Sequence, residues 1–418
     1  MPILRLSVTF LVLSILLSSR FSIPLFGGEL DVFGVAFIGL SVASWLMSPH
    51  RSSRSRAPLL FALTAGPLLL LLGLLPTLGI LVADAGITLL YAWILPAKVL
   101  ATLLLSRAVQ SHGLDIRRIG LIPIVAHGVY GLLQTLYRAE LIPTSVWGPM
   151  ANWDIRSQQY WDAEYVIVGR STGLFINANE FGMWSCLAVV FSATLAEGRV
   201  RVIGLFLGVA GVLGSQSRTA WIVLALIIVF YAVRGARHRR AAEITVGVVS
   251  LLAPVVALGW LTGAFAAVAD QIDVERIAGV LAVAEEGVDA DANLNARVDA
   301  WRDVWIYSGA YPFGTLLPPI GVFGGYIDNQ YVSFFLQGGP FLLGAFLLLL
   351  ASPVMFRCLG FRGGMTLRLV VLVVAVSGLT MTPVSSFSAS SLGWLAATHV
   401  VGSTPRTAAG LREHGVLA

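Results

Sequence analysis

The sequence predicts an all-α, polytopic integral membrane bundle of about twelve transmembrane helices. Composition, hydropathy and the spacing of charge predict it. Of 418 residues, 57% are hydrophobic and only 12% are charged, about half the charge of a soluble domain. Mean hydropathy is +0.84. The apolar residues fall into runs of membrane-span length, and arginine clusters mark every second exit. So few ionisable groups cannot cover a water-soluble protein of this size, which excludes a soluble globular enzyme. Intrinsic disorder is excluded as well, because it requires low hydrophobicity.

A span needs about 20 mostly apolar residues. Twelve runs qualify: 4–25, 30–48, 57–75, 86–106, 119–141, 177–196, 200–214, 218–234, 242–264, 329–351, 366–384 and 387–403. The first run continues to about Phe26 without a small-residue cleavage site, so it reads as a retained span and not as a signal peptide. The run at 200–214 is short, which suits a tilted or re-entrant segment. Lys98, the single lysine, lies beside Pro96 in the fourth run, toward its cytoplasmic half, where it can snorkel. His127, inside the fifth run, reads as a packed, hydrogen-bonded residue. None of the six His has metal-ligand spacing. Cys186 falls in an apolar run and Cys358 in a basic loop, so neither a disulfide nor a zinc cluster is expected.

Charge tests the count. Arg51, Arg54 and Arg56 follow the second run, and Arg107, Arg117 and Arg118 the fourth. Arg199 and Arg201 follow the sixth, and Arg234, Arg237, Arg239 and Arg240 the eighth. Arg357 and Arg362 follow the tenth, and Arg406 and Arg412 the twelfth. Every even exit is basic. With both termini cytoplasmic, all six clusters obey the positive-inside rule. The expectation is a single transmembrane domain over 1–418 in a bacterial cytoplasmic (inner) membrane. Two long outer segments follow from the same alternation, about 142–176 and 265–328. The second begins acidic, with Asp270, Asp273, Glu275, Glu285, Glu286, Asp289 and Asp291. It also holds an amphipathic stretch near 294–308, where Leu294, Val298, Trp301 and Trp305 recur at helical spacing.

Four polar clusters collect on the outer side. The first runs Arg170-Ser171-Thr172-Gly173-Leu174-Phe175-Ile176-Asn177-Ala178-Asn179-Glu180-Phe181-Gly182. The second is Gly214-Ser215-Gln216-Ser217-Arg218-Thr219-Ala220. The third is Asn295-Ala296-Arg297-Val298-Asp299-Ala300-Trp301. The fourth is Asp328-Asn329-Gln330-Tyr331. Arginine suits phosphate, because its planar fork donates paired hydrogen bonds and stays charged at any working pH. Two or three Arg at the membrane boundary can hold a lipid diphosphate while its hydrocarbon tail stays in the bilayer. Asp328 can accept the proton of an attacking hydroxyl. Plainer readings stand beside these. Arg at a span end snorkels without binding a ligand. Asp328 can cap the tenth span, and Asn177 and Asn179 the sixth.

In combination the strings resemble the O-antigen ligase / O-antigen polymerase superfamily of bacterial cell-envelope glycosyltransferases. RSTGLFINANEFG at 170–182 looks like the family's R-x-x-G-x-F-x-N-x-N-x-F/G segment, and GSQSRTA at 214–220 like its S-R-T/G-A segment. RVDAW at 297–301, followed by Tyr311-Pro312-Phe313-Gly314, is similar to the R-x-x-x-W … P-x-G stretch. DNQYVSFFLQGG at 328–339 matches the segment that closes the large outer loop. The resemblance covers roughly 165–345, in order. The ligases carry a His at the start of the last segment, where this chain has Asp328, and no His occurs in 265–345. That departure looks more like the polymerase branch.

The resemblance implies a GT-C-like membrane glycosyltransferase. The implied reaction transfers a polyprenyl-diphosphate-linked oligosaccharide onto a second lipid-linked repeat unit at the outer face of the membrane. It implies Arg218 and Arg170 as diphosphate clamps and Asp328 as the group that orients or deprotonates the acceptor. Arg297, Trp301, Asn179 and Tyr331 would contact substrate. No metal or other cofactor is expected, and no nucleic acid. The partners would be the lipid-linked donor, a glycan acceptor, the bilayer and a chain-length regulator. Transfer of finished glycan to a lipid or other acceptor, as in an O-antigen ligase, is the nearest alternative. A transporter or lipid-linked-sugar flippase is the non-enzymatic one.

Overall fold

The computed structural model describes residues 2–17, 22–25, 28–48, 57–83, 89–112, 114, 116–138, 141–143, 170–175, 177–235, 292–323, 327–358 and 364–402. Over these the chain is a helical membrane protein with one short hairpin. Helices α1 (Pro2–Leu17), α2 (Val32–Leu46), α3 (Ala57–Ala83), α4 (Leu89–Ser111) and α5 (Ile116–Arg138) form the first group. Helices α6 (Ala178–Thr194), α7 (Gly198–Ser215) and α8 (Arg218–Gly235) follow, then α9 (Ala292–Ser308) and the short α10 (Pro319–Phe323). Helices α11 (Gln330–Cys358), α12 (Gly364–Ser377) and α13 (Phe387–Gly402) close the order. Five of them, α3, α4, α5, α7 and α11, are long and apolar enough to cross a membrane. Eleven of the twelve expected runs coincide with a helix; the run at 242–264, the acidic stretch 270–291 and most of 142–169 lie outside the described residues.

Three expectations need correction. The first run does not stay helical to residue 25: Ser22–Leu25 (β1) pairs antiparallel with Gly28–Asp31 (β2), Ser22 opposite Asp31 and Leu25 opposite Gly28. Pro24 cannot continue a helix, and Gly28 opens the returning strand opposite Leu25. The tenth run is not one continuous helix. Gly338 and Gly339 leave helical geometry inside α11, with Gly339 at φ +56°, and Pro340 follows. Lys98 does not snorkel to the cytoplasmic edge. It is buried and forms an ion pair with Asp31, whose other carboxylate oxygen caps α2 through the Gly34 N–H at 2.9 Å. The Phe387 ring centroid lies 5.2 Å from its ammonium. A buried ammonium needs a counter-ion, and β2 delivers one at the start of α2.

Helix α6 is the axis of the bundle. Nearly its whole length is buried, from Ala178 to Ala193, which explains why its apolar residues show no single face. It packs against α7 through small residues. A Cβ on Gly204 would meet the Ser192 hydroxyl at 2.1 Å, and one on Gly211 the Ser185 hydroxyl at 2.4 Å. Such stripes let helices approach closely where no hydrophobic force drives them together. The short seventh run is thus a full helix of 18 residues. It turns into α8 through Gln216 (φ +48°) and Ser217, which places Arg218 as the first residue of α8.

Candidate active site

The first cluster is a loop laid over the end of α5. Gln134 accepts hydrogen bonds from the Thr172 N–H (2.9 Å) and the Gly173 N–H (2.8 Å), and its amide donates to the Thr172 hydroxyl (3.1 Å). The Thr135 and Ser171 hydroxyls meet at 2.8 Å. The His127 Nδ1 accepts from the Leu174 N–H at 3.3 Å, and its ring stacks on Phe175 with centroids 4.3 Å apart. His127 is thus packed and hydrogen-bonded, as its place in an apolar run predicted. Asn177, and not Asn179, caps α6, accepting from the Asn179 N–H at 2.7 Å.

Arg170 joins this loop to the second cluster. Its Nε donates to the Ser215 carbonyl at 3.0 Å and its Nη2 to the Asn179 side-chain oxygen at 2.5 Å. The Ser171 N–H adds a bond to the Gly214 carbonyl at 2.9 Å. Ser215 ends α7, so a cation there satisfies a carbonyl that the helix leaves open. Two of the expected site residues, Arg170 and Asn179, are therefore each other's partners, and Arg170 is only 7% exposed.

The fourth cluster answers the question of the α11 cap. Asn329, one residue after Asp328, accepts from the Tyr331 N–H (3.0 Å) and the Val332 N–H (3.1 Å). The cap belongs to Asn329, and the Asp328 carboxylate faces Arg297. The two form an ion pair at 3.2 Å, with the Asp328 side chain 51% exposed and that of Arg297 29% exposed. An exposed pair of this kind contributes at most about 1 kcal/mol to folding. The Tyr331 hydroxyl donates to the Ala375 carbonyl at 3.0 Å, and its ring packs edge-on against Phe346, so Tyr331 ties α11 to α12.

Helix α9 carries Arg297. It turns Val304 and Ser308 inward, while Trp301, one turn after Arg297, is half-buried. Trp305 stacks on Phe335 of α11 with ring centroids 4.4 Å apart. The chain then docks into the break in α11. The Thr315 N–H donates to the Leu336 carbonyl at 2.7 Å and the Leu316 N–H to the Gln337 carbonyl at 2.9 Å. These are the carbonyls that a helix break exposes, and at membrane depth each needs a partner. The docking is close: a Cβ on Gly314 would sit 2.5 Å from the Gln337 carbonyl carbon and oxygen. Exposed aromatic residues flank the dock, among them Tyr311, Phe313 and Phe341, with Phe313 and Phe341 stacked at 5.9 Å.

The four clusters, far apart in sequence, therefore lie at one end of the bundle. The segment that completes their convergence is Gly378–Ser386, between α12 and α13. The Thr380 hydroxyl meets that of Thr219 at 2.6 Å, and the Thr380 carbonyl accepts from Arg297 Nη1 at 3.5 Å. Gln330 accepts from the Val384 N–H at 3.0 Å and donates to the Ser385 hydroxyl at 3.3 Å. Ser386 lies beside the carboxyl of Glu180 in the first turn of α6. Sequence reasoning missed this segment, because its Thr-x-Thr-Pro-x-Ser-Ser string sits between two apolar runs and was largely absorbed into one of them. The string itself was the signal. Chemically the end of the bundle offers two arginines, Arg218 and Arg297, and a carboxylate, Asp328. Among the described residues no three His, Cys, Asp or Glu side chains converge as metal ligands.

Residues 203–349, about a third of the chain, match the model of a family described as O-antigen ligase. The matched stretch contains the second, third and fourth clusters, and it bears out their resemblance to the O-antigen ligase / polymerase superfamily. It supports a ligase- or polymerase-type role in polysaccharide assembly for a multi-pass membrane protein. No curated protein matches the chain.

Proposed function

We propose that the chain is a cell-envelope polysaccharide polymerase of the GT-C-like membrane type. It transfers a polyprenyl-diphosphate-linked oligosaccharide onto another lipid-linked repeat unit at the outer face of the bacterial cytoplasmic membrane. The observation that carries this reading is the Arg297–Asp328 pair at 3.2 Å. Because Asn329 caps α11, the Asp328 carboxylate has no structural duty as a cap. It is half-exposed, beside an arginine, two residues before the membrane-spanning helix.

The acceptor hydroxyl oxygen attacks the anomeric carbon of the donor sugar. The bond from that carbon to the diphosphate oxygen breaks, and the diphosphate leaves with the electron pair. Asp328 takes the hydroxyl proton. Arg218, at the start of α8, and Arg297 offset the charge that grows on the leaving group. Arg170 holds the first loop against the α7–α8 turn and so fixes where Arg218 begins. Trp301 packs α9 on the bundle or stacks on a sugar.

The description of the matching family favours a second reading, transfer of finished glycan to a lipid or other acceptor. In cells lacking the protein, accumulation of single lipid-linked repeats supports polymerase, and accumulation of long carrier-linked polymer supports ligase. For the site, Asp328→Asn and Arg297→Ala are expected to abolish polymer while leaving protein level and melting temperature unchanged, since the pair adds little to folding. Wild-type polymer length from both variants would refute the assignment.

A further inference from the structure

The segment Gly378–Ser386 lies beyond the family-matched stretch and outside all four motif strings, yet it touches every cluster. Its backbone is fixed at both ends. The Thr380 N–H donates to the Ser377 carbonyl at 3.1 Å and the Met381 N–H to the same carbonyl at 3.0 Å. The Gly378 carbonyl accepts from the Gln330 N–H at 2.7 Å, and the Leu379 carbonyl from the Asn329 amide at 3.2 Å. Those bonds fix the direction of the Thr380 carbonyl.

Thr380 then makes two contacts to two different clusters. Its carbonyl faces Arg297 and its hydroxyl faces Thr219, the neighbour of Arg218. Elsewhere in the helices, Thr64, Thr77, Thr102, Thr135 and Thr194 donate to the carbonyl four residues back in their own helix. Thr219 and Thr380 instead use their hydroxyls on each other across 161 residues of sequence. Arg297 thus has one movable acceptor, the half-exposed Asp328 side chain, and one fixed acceptor, the Thr380 carbonyl. When Asp328 turns to an acceptor hydroxyl, the fixed contact keeps the guanidinium in place.

We infer that Thr380 is a positioning residue for glycosyl transfer: it locks the start of α8, with Arg218, to the residue whose carbonyl orients Arg297 toward Asp328. This rests on the proposed transfer reaction. It assigns a part in the site to a segment that carries none of the motif residues.

The test uses the full chain in lipid vesicles with a polyprenyl-diphosphate-linked oligosaccharide as donor, and reads initial rates against donor concentration. Loss of one hydroxyl hydrogen bond corresponds to about fivefold to tenfold in rate. Thr380→Val is expected to lower kcat/KM by that factor, and Thr380→Ser to restore it. Thr219→Val should cause the same loss, with no further loss in the double variant, because both remove one contact. A wild-type rate for Thr380→Val, or multiplying losses in the double variant, overturns the inference. If the valine variants melt early, a second measurement decides. Thr219→Cys with Thr380→Cys, in a Cys186→Ala/Cys358→Ala background, should form a disulfide on oxidation and keep its transfer rate. Failure to cross-link, or cross-linking that abolishes transfer, overturns it. Arg297→Ala in the same assay separates the two levels. If Arg297→Ala transfers normally, the reaction proposal falls. If only Thr380→Val does, the positioning role falls alone.

Discussion

Gly314→Ala perturbs the docked loop at its tightest point. Gly314 has φ +85°, in the left-handed region, where an L-residue costs about 1–2 kcal/mol. The added Cβ would lie 2.5 Å from the Gln337 carbonyl carbon and oxygen and from the Gly338 nitrogen. All three are backbone atoms, so no side chain can swing aside, and the loop itself must retreat. Retreat breaks the Thr315 N–H bond to Leu336 and the Leu316 N–H bond to Gln337. Each carbonyl left unpaired away from water costs about 1–3 kcal/mol. The total is about 3–8 kcal/mol. Thermal unfolding in detergent should show a large fall in midpoint, with loss of glycosyl transfer in vesicles. Gly344→Ala, in α11 itself, is the control: nothing lies within 4 Å of its Cβ position, and wild-type melting is expected. If Gly314→Ala melts with the wild type, the loop does not seat in the helix break and the reasoning fails.

Two further substitutions test the framework. Arg170→Lys keeps the charge but loses the fork that reaches both Ser215 and Asn179, so it should cost about 1–3 kcal/mol and lower activity; unchanged melting and activity would show that the fork is dispensable. Lys98→Met leaves Asp31 buried without its cation and should cost about 3–5 kcal/mol, most of it recovered by adding Asp31→Asn; a double variant no more stable than the single one would contradict the ion-pair account.

The helices were legible because their signal is local. Apolar runs and basic exits placed α3, α7 and α8 within a few residues of where they stand, except that α3 runs on to Ala83. What the runs hid are interruptions that keep the sequence apolar. Gly338 and Gly339 break α11 without adding a polar side chain, because the carbonyls they free are satisfied by Thr315 and Leu316 from a distant loop. Pro24 and Gly28 turn the end of the first run into a hairpin for a similar reason. In the site, the arginines and Asp328 were visible by type and order, but the pairing of Arg297 with Asp328 was not. Their partners were not visible. Gln134 and Thr380 lie outside any charged string, and their parts come from three-dimensional proximity alone. Neighbouring polar residues also exchanged duties: Asn329 caps where Asp328 was a candidate, and Asn177 where Asn179 was.

The proposed function assigns glycosyl transfer between lipid-linked substrates to Asp328 and Arg297. The direct measurement is product length after purified protein in vesicles meets polyprenyl-diphosphate-linked oligosaccharide, read by gel or mass. On this assignment the wild type gives lengthened, carrier-linked product, and Asp328→Asn or Arg297→Ala of equal melting temperature gives none. Lengthened product from both variants, or movement of the lipid-linked sugar across the bilayer without any transfer, would contradict it.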